Sequence, residues 1–179
     1  MSQPIDSTHK LSLYEEELYG TQEAEEPTRQ LIIFSLGEEH YGVDVLNVQG
    51  VLPSLKITFL PNAPVHILGI INLRGNITSI TNLKKVFGLS LETGNGKNQI
   101  VVIESKGIST GLWVDGHAES IEMPISRIQS LVSTLDEEKN NFIEGQFDWN
   151  GRLIGVLNAE KIVEKTKLSL GGDEKDLGA

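Results

Sequence analysis

One pattern occurs twice in this chain, 76 residues apart, and it narrows the possible folds more than any other feature. Gly69 and Gly75 are matched by Gly145 and Gly151, Asn82 by Asn158, and Lys85 by Lys161. The apolar positions keep the same offset: Ile71 with Phe147, Leu73 with Trp149, Ile77 with Leu153, Ile80 with Val156, and Val86 with Ile162. Each copy reads as a strand, a glycine corner, a second strand and a helix that starts at an asparagine cap. Glycine at the corner supplies backbone angles that other residues avoid. Units of this size cannot bury a stable core alone, so the two copies are expected to pack on each other.

The remaining segments extend this mainly β reading. QLIIFSLG is a strand candidate, and HYGVDVLNVQGVLP a second extended run that Pro53 ends. Thr58–Leu60 suits a further short strand before the turn at Pro61–Pro64. After Asn82, Lys84 and Lys85 should be solvated, Val86 and Phe87 should turn inward, and Gly88 should close the helix. The turn-rich residues 92–98 are the expected divide between two halves of the fold. QIVVIES, ISTGLWVDG and HAESIEMP follow as strands, then a long connection over 125–141. FIEGQFDWN and RLIGVL form a hairpin around Asn150-Gly151, and NAEKIVEKTKL a helix capped by Asn158. The expected organisation is an acidic, disordered tail over 1–28, a folded domain over 29–168 and a flexible tail over 169–179.

Charge narrows the function classes. Net charge is −10, and residues 1–28 contribute −6 of it, from seven acids against Lys10. No basic stripe is available for a phosphate backbone or an anionic lipid surface, and only 6% of residues are aromatic. Nucleic-acid binding and membrane insertion are therefore not expected. Within the tail, Leu11, Tyr14 and Leu18 fall at i, i+3 and i+7 around Glu15, Glu16 and Glu17. This segment reads as a solvated acidic arm; the alternative is a docking motif that folds on a basic partner. There is no cysteine, and the N-terminus carries no secretory signal pattern, which agrees with a cytoplasmic protein.

A search for catalytic chemistry finds no constellation. His9, His40, His66 and His117 lack metal-ligand spacing, so no metal or cofactor is expected. Asp44 and Asp115, near strand ends, read as turn-forming carboxylates bonded to backbone N–H groups. GNGKN lacks the spacing of a phosphate loop. What stands out is Arg74, set before Gly75 in a stretch almost free of charge. It is either an interface anchor or a guanidinium tying its corner to nearby carbonyls. The second copy has Asn150 at this corner, so the architecture does not require an arginine, and binding is the better reading.

Four blocks carry a family resemblance: YGVDVLNVQGV, LPNAPVHILGIINLRGNITSITNLKKVFG, GLWVDGHAESI and FIEGQFDWNGRLIGVLNAEKIV. In their order and spacing, from about Gln30 to Val163, they resemble the CheW family of chemotaxis coupling proteins. The resemblance implies two packed five-stranded SH3-like β-barrels with short helices and no catalytic activity. It also implies a cytoplasmic adaptor at the receptor array, linking the tip of a chemoreceptor to the histidine kinase CheA, with other CheW-like domains as possible ring partners. By motif match, the receptor-facing residues along an apolar groove between the barrels would be Val48, Gly50, Arg74, Ile100 and Val101. Gly69, Gly75, Asn82, Gly111, Asp115, Gly145, Gly151 and Asn158 would be structural turns and caps.

Two positions depart from the family pattern. Gly50 stands where the family usually has glutamate, and Lys84 where it usually has arginine. Lysine cannot reproduce bidentate arginine contacts. These departures raise a second expectation, a regulatory or inhibitory ring component of a pilus-motility or other non-flagellar chemosensory system. A small-ligand or enzymatic protein on the same scaffold is a third, and it would need a convergent polar pocket that the sequence does not offer.

Overall fold

The computed structural model describes residues 25–91, 97–131 and 137–170, with side chains as far as 167. The expectations for 1–24 and 171–179, and for most of the loop at 92–98, lie outside the described residues. Among the described residues, nine strands and three α-helices occur in the order β1 (Thr28–Leu36), β2 (Glu39–Asp44), β3 (Val48–Pro53), β4 (Ile67–Leu73), β5 (Asn76–Asn82), α1 (Leu83–Val86), β6 (Gln99–Ser105), β7 (Ile108–Pro124), α2 (Glu137–Asn140), β8 (Ile143–Trp149), β9 (Arg152–Leu157) and α3 (Ala159–Leu170).

The strands form two five-stranded units that share β7. One has the order β3-β6-β7-β5-β4 and the other β7-β1-β2-β9-β8. In both, the third junction is parallel and the others are antiparallel: β5 runs parallel to β7, and β2 parallel to β9. The 76-residue echo is thus real down to its irregularities. A register shift falls between Ile67 and Gly69 in β4 and between Ile143 and Gly145 in β8. Thr58 bridges Ile70, and Gln129 bridges Gln146, so in each unit the segment after the first strand reaches round to the last and closes the sheet.

Residues 108–114 of β7 pair with β6, and residues 115–124 pair with β1. The change of partner coincides with Gly116, whose φ of +68° lets the strand bend. β6 and the first half of β7 follow the 92–98 loop in sequence yet pair back to β3 and β5. The two units therefore interleave along the chain instead of succeeding one another at that loop.

Alternation of side chains builds three cores from these strands. Ile71, Ile80, Ile100 and Val102 fill the first unit; Leu31, Ile33, Met123, Phe147 and Ile154 fill the second. The largest cluster lies between them, where Ile32, Phe34, Val101, Ile103 and Leu112 meet Leu83, Phe87, Ile162 and Val163 of α1 and α3. The units are joined by continuous apolar packing, as their small size requires.

Several local expectations are corrected. HYGVDVLNVQGVLP is not one extended run: a 3-10 turn at Val45–Asn47 breaks it, because the Asp44 carboxylate accepts from the Leu46 N–H. β2 and β3 consequently belong to different units. Thr58–Leu60 supplies only the single bridge at Thr58. Lys84 is not solvated but buried, with its ammonium 2.5 Å from the Asp115 carboxylate. The one-turn helix α1 points Leu83, Lys84 and Phe87 into the seam between the units, so the charge needs a partner there. Gly111 is neither turn nor cap. It lies in mid-strand, where a Cβ would come within 2.5 Å of Ile80 Cδ1 and 2.7 Å of Ile100 Cγ2.

Gly69 and Gly145 share the mid-strand placement of Gly111, at the register shifts of β4 and β8, so they are bulge positions and not turns. Gly69 has φ +147°, and a Cβ there would lie 2.2 Å from the Thr58 carbonyl oxygen. Gly145, also in mid-strand, abuts Ile128 in the same way. Gly75 and Gly151 take positive φ at their corners. Asn82 Oδ1 accepts from Lys84 N, and Asn158 Oδ1 from Lys161 N, both at 3.0 Å. Asp115 accepts from the Gly37 N–H at 2.7 Å, holding the β1–β2 turn.

Candidate functional site

The open mouth of the first unit forms a groove of about 620 Å³ that brings Gly50 and Arg74 together. Its floor is the end of that unit's core, at Leu52, Leu73 and Val102. Its rim is polar, with Gln49 from β3, Asn76 and Thr78 from β5, Glu104 from β6 and Ser109 from β7. Glu104 is already engaged by Gln49 Nε2 and, at 3.2 Å, by the Ser109 hydroxyl.

Arg74 occupies the first corner position of the β4–β5 hairpin. Its φ is +53° and that of Gly75 is +88°, the pair of positive angles that a type I′ turn requires. Asn72 Oδ1 secures the corner by accepting from Gly75 N at 2.8 Å. In the second unit, Asp148 does the same for Gly151 at the Asn150-Gly151 corner. Left-handed backbone costs a residue such as arginine about 1 kcal/mol or more, whereas asparagine tolerates it. The fold therefore disfavours arginine here, which argues against a purely architectural role. A third corner, Lys106-Gly107, also carries a long cation in this conformation, but that one is paired with Glu160. Arg74 is exposed and, among the described residues, makes no ion pair.

Gly50 is half-buried, and a Cβ placed on it would meet nothing within 4 Å. Its backbone needs no glycine either, since its φ is not positive. A side chain is simply missing from the groove wall. Val48 lies two residues earlier, half-buried against the inter-unit core, and does not line the groove.

Ile100 and Val101 do not belong to an accessible site. Both are 0% exposed: Ile100 points into the core of the first unit and Val101 into the core between the units. Neither can receive a partner without opening that packing. The groove containing Gly50 and Arg74 also lies on the first unit, not between the units.

Residues that sequence reasoning passed over include Ile77, which lines the groove and is 67% exposed, and its echo Leu153, 62% exposed. Both carry large apolar surface on outward strand positions, which their pairing at the 76-residue offset could have flagged. Leu46 is 90% exposed on the 3-10 turn that Asp44 caps and that Arg29 braces through its own 2.7 Å contact with Asp44. Among the described residues, no group of acidic, histidine or cysteine side chains could hold a metal ion.

A family model described as the CheW-like domain matches residues 30–167. The chemotaxis protein CheW of Helicobacter pylori is 31% identical over 144 residues, covering 80% of this chain and 87% of that one. The chemotaxis protein CheW of Thermotoga maritima is 28% identical over 142 residues, covering 79% and 92%. The crystal structure of the scaffolding protein TtCheW from Thermoanaerobacter tengcongensis superposes with a TM-score of 0.67 at 32% identity, over 76% of this chain and 88% of that one.

Proposed function

The chain belongs to the CheW-like family, and from this we propose that it is a chemotaxis adaptor, coupling the cytoplasmic tip of a chemoreceptor to a CheA-type histidine kinase. It works by holding partners in register, without a reaction of its own, and takes its place in the cytoplasm at the receptor array beside other CheW-like domains. Among the described residues, no helix is long and apolar enough to cross a membrane.

The observation that carries the contact residues is Arg74. It is an exposed guanidinium without an ion pair among the described residues, held at a corner whose backbone disfavours it. Beside it lies a groove whose apolar floor and exposed Ile77 suit an apolar helix face, with Arg74 supplying the polar anchor at the edge. Gly50 widens this groove, and Val48 packs the strand that carries it against the core between the units. The test is co-sedimentation of the full chain with a receptor cytoplasmic fragment and the kinase, comparing the wild type with R74E. Loss of the chain from the pellet, with an unchanged far-UV spectrum, is the expected result. Full incorporation of a folded R74E would remove Arg74 from the contact.

A further inference from the structure

Among the described residues, the groove that holds Gly50 and Arg74 is lined by one other charged side chain, Glu104 of β6. Glu104 continues the strand face of Ile100 and Val102, which fill the core of the first unit, so its carboxylate comes out at the open mouth. Neighbours on both sides fix its place. Asn47 Nδ2 donates to its backbone carbonyl at 3.3 Å, and Gln49 Nε2 and the Ser109 hydroxyl donate to its carboxylate. Both of those carboxylate donors are neutral, and both use the same oxygen, Oε2. Among the described residues, Oε1 accepts no hydrogen bond and Glu104 makes no ion pair. The side chain is half-buried, so a charge is held in one orientation, partly stripped of water, with no counter-charge supplied. Beside it Gly50 leaves the wall open, since a Cβ there would meet nothing within 4 Å.

Arg74 is the opposite charge in the same groove, and no ion pair joins it to Glu104. The strand register shows how far apart the two stand. Glu104 lies opposite Ser109 on β7, and Ser79 of β5 lies beside Thr110 on β7, so β6 and β5 flank β7 about 10 Å apart. Thr78 is level with Ser109, and the Arg74 corner leaves β5 at Asn76, two residues or about 7 Å further along. The two backbones are thus about 12 Å apart across the groove, near the rise of two turns of α-helix, about 11 Å. The same groove offers exposed Ile77 and half-buried Leu52, Leu73 and Ile108 as apolar surface within a partner's reach.

We propose that Glu104 is a specificity-determining residue, and that the groove selects a partner helix by two opposite charges set two turns apart. The helix carries a lysine or arginine for Glu104 Oε1 and an aspartate or glutamate for Arg74, at i and i+7 on the face that meets Ile77. A helix with two basic residues at these places meets Arg74 with like charge, and one with two acidic residues meets Glu104 in the same way. Rejection of both is how the pair selects. The proposal rests on the groove being the seat of a partner helix, and adds the charges which that helix carries.

Stapled helical peptides with a leucine face are the probes, carrying lysine and glutamate, two lysines, or two glutamates at i and i+7. They are titrated into the isotope-labelled full chain and followed at the amide signals of Gly50, Thr78 and Ser109. The mixed peptide should bind the wild type about tenfold more tightly than either like-charged peptide. E104K, with an unchanged far-UV spectrum, should bind the two-glutamate peptide most tightly. E104Q, which keeps an oxygen for Gln49 and Ser109, should bind the mixed and two-glutamate peptides alike, and it decides alone should E104K not fold. Groove signals that no peptide moves, equal affinities of the three peptides for the wild type, or an order that the Glu104 variants leave unchanged would overturn the proposal. Co-sedimentation with receptor fragment and kinase is scored separately. Peptides that discriminate, beside a wild type absent from the pellet, would sink the adaptor reading and leave this one standing. A wild type in the pellet with peptides that do not discriminate would do the reverse.

Discussion

Replacing Asp115 by asparagine isolates one charge in the seam between the two units. The Lys84 and Asp115 side chains are 6% and 8% exposed and 2.5 Å apart. Asparagine keeps an oxygen to accept from the Gly37 N–H, so the β1–β2 turn retains its bond. What changes is that the Lys84 ammonium loses its counter-charge while still buried. Leaving one member of a buried pair uncompensated costs about 3–5 kcal/mol, against about 0–1 kcal/mol for an exposed pair. For a domain of this size, that corresponds to roughly 6–20 °C in Tm. K84M should cost less than D115N, because Asp115 keeps its backbone donor and the methionine fills the lysine's space. The double variant K84M/D115N should be about 2 kcal/mol more stable than D115N alone, since the stranded charge has gone. Urea unfolding of the four proteins, followed by circular dichroism, closes this cycle. A loss below about 1 kcal/mol in D115N, or effects that simply add, would show that the pair is solvated and that the seam is not built around it.

Three further outcomes follow from particular contacts. G69A should lose at least about 3 kcal/mol or fail to fold, because the new methyl meets the Thr58 carbonyl at 2.2 Å in a left-handed backbone. G50A, where nothing lies within 4 Å, should change stability by less than about 0.5 kcal/mol; equal unfolding midpoints for G69A and G50A would contradict the packing. The pH dependence has a definite sign: burial and Arg152 hold His40, and burial, Lys165 and Lys85 hold His66, below the ordinary imidazole value. The unfolded chain therefore takes up these protons first, so their contribution to stability is present above the ordinary imidazole value and is lost as pH falls through the lower folded-state values. The urea midpoint of H66N should fall less than that of the wild type between pH 7.5 and pH 5, and an identical fall would show that His66 is not perturbed.

The repeat was legible in the sequence because a strand, a two-residue corner and a cap each demand particular residues at fixed spacing. Gly75, Asn82 and their echoes carry the repeat without help from tertiary packing, whereas Gly69 and Gly145 answer to the segments packed beside them. The interleaving of the units was not legible, since β6 returns to β3 across the 92–98 loop through backbone pairing that no side chain announces. The inward turn of Lys84 was hidden for a similar reason. A one-turn helix has too few residues to display a face, and the partner that makes burial tolerable, Asp115, is 31 residues away in sequence. At the candidate site, the Arg74 corner stood out because a charge interrupted an apolar stretch. Ile100 and Val101 were misplaced although a signal was present. Ile100, Val101, Val102 and Ile103 form an unbroken apolar run, the pattern of a strand buried on both faces. The groove itself needed the fold, since β3, β5, β6 and β7 meet there from separate parts of the chain.

The central claim is that Arg74 serves partner binding at the expense of local backbone preference, and R74N tests both halves together. Asparagine is what the second unit carries at the same corner, with φ of +53° in both. Measured on one preparation, R74N should be more stable than the wild type by about 1 kcal/mol, the scale of the left-handed penalty it escapes. The same preparation should fail to co-sediment with receptor fragment and kinase. An R74N protein that binds like the wild type, or that is less stable than it, would contradict the account.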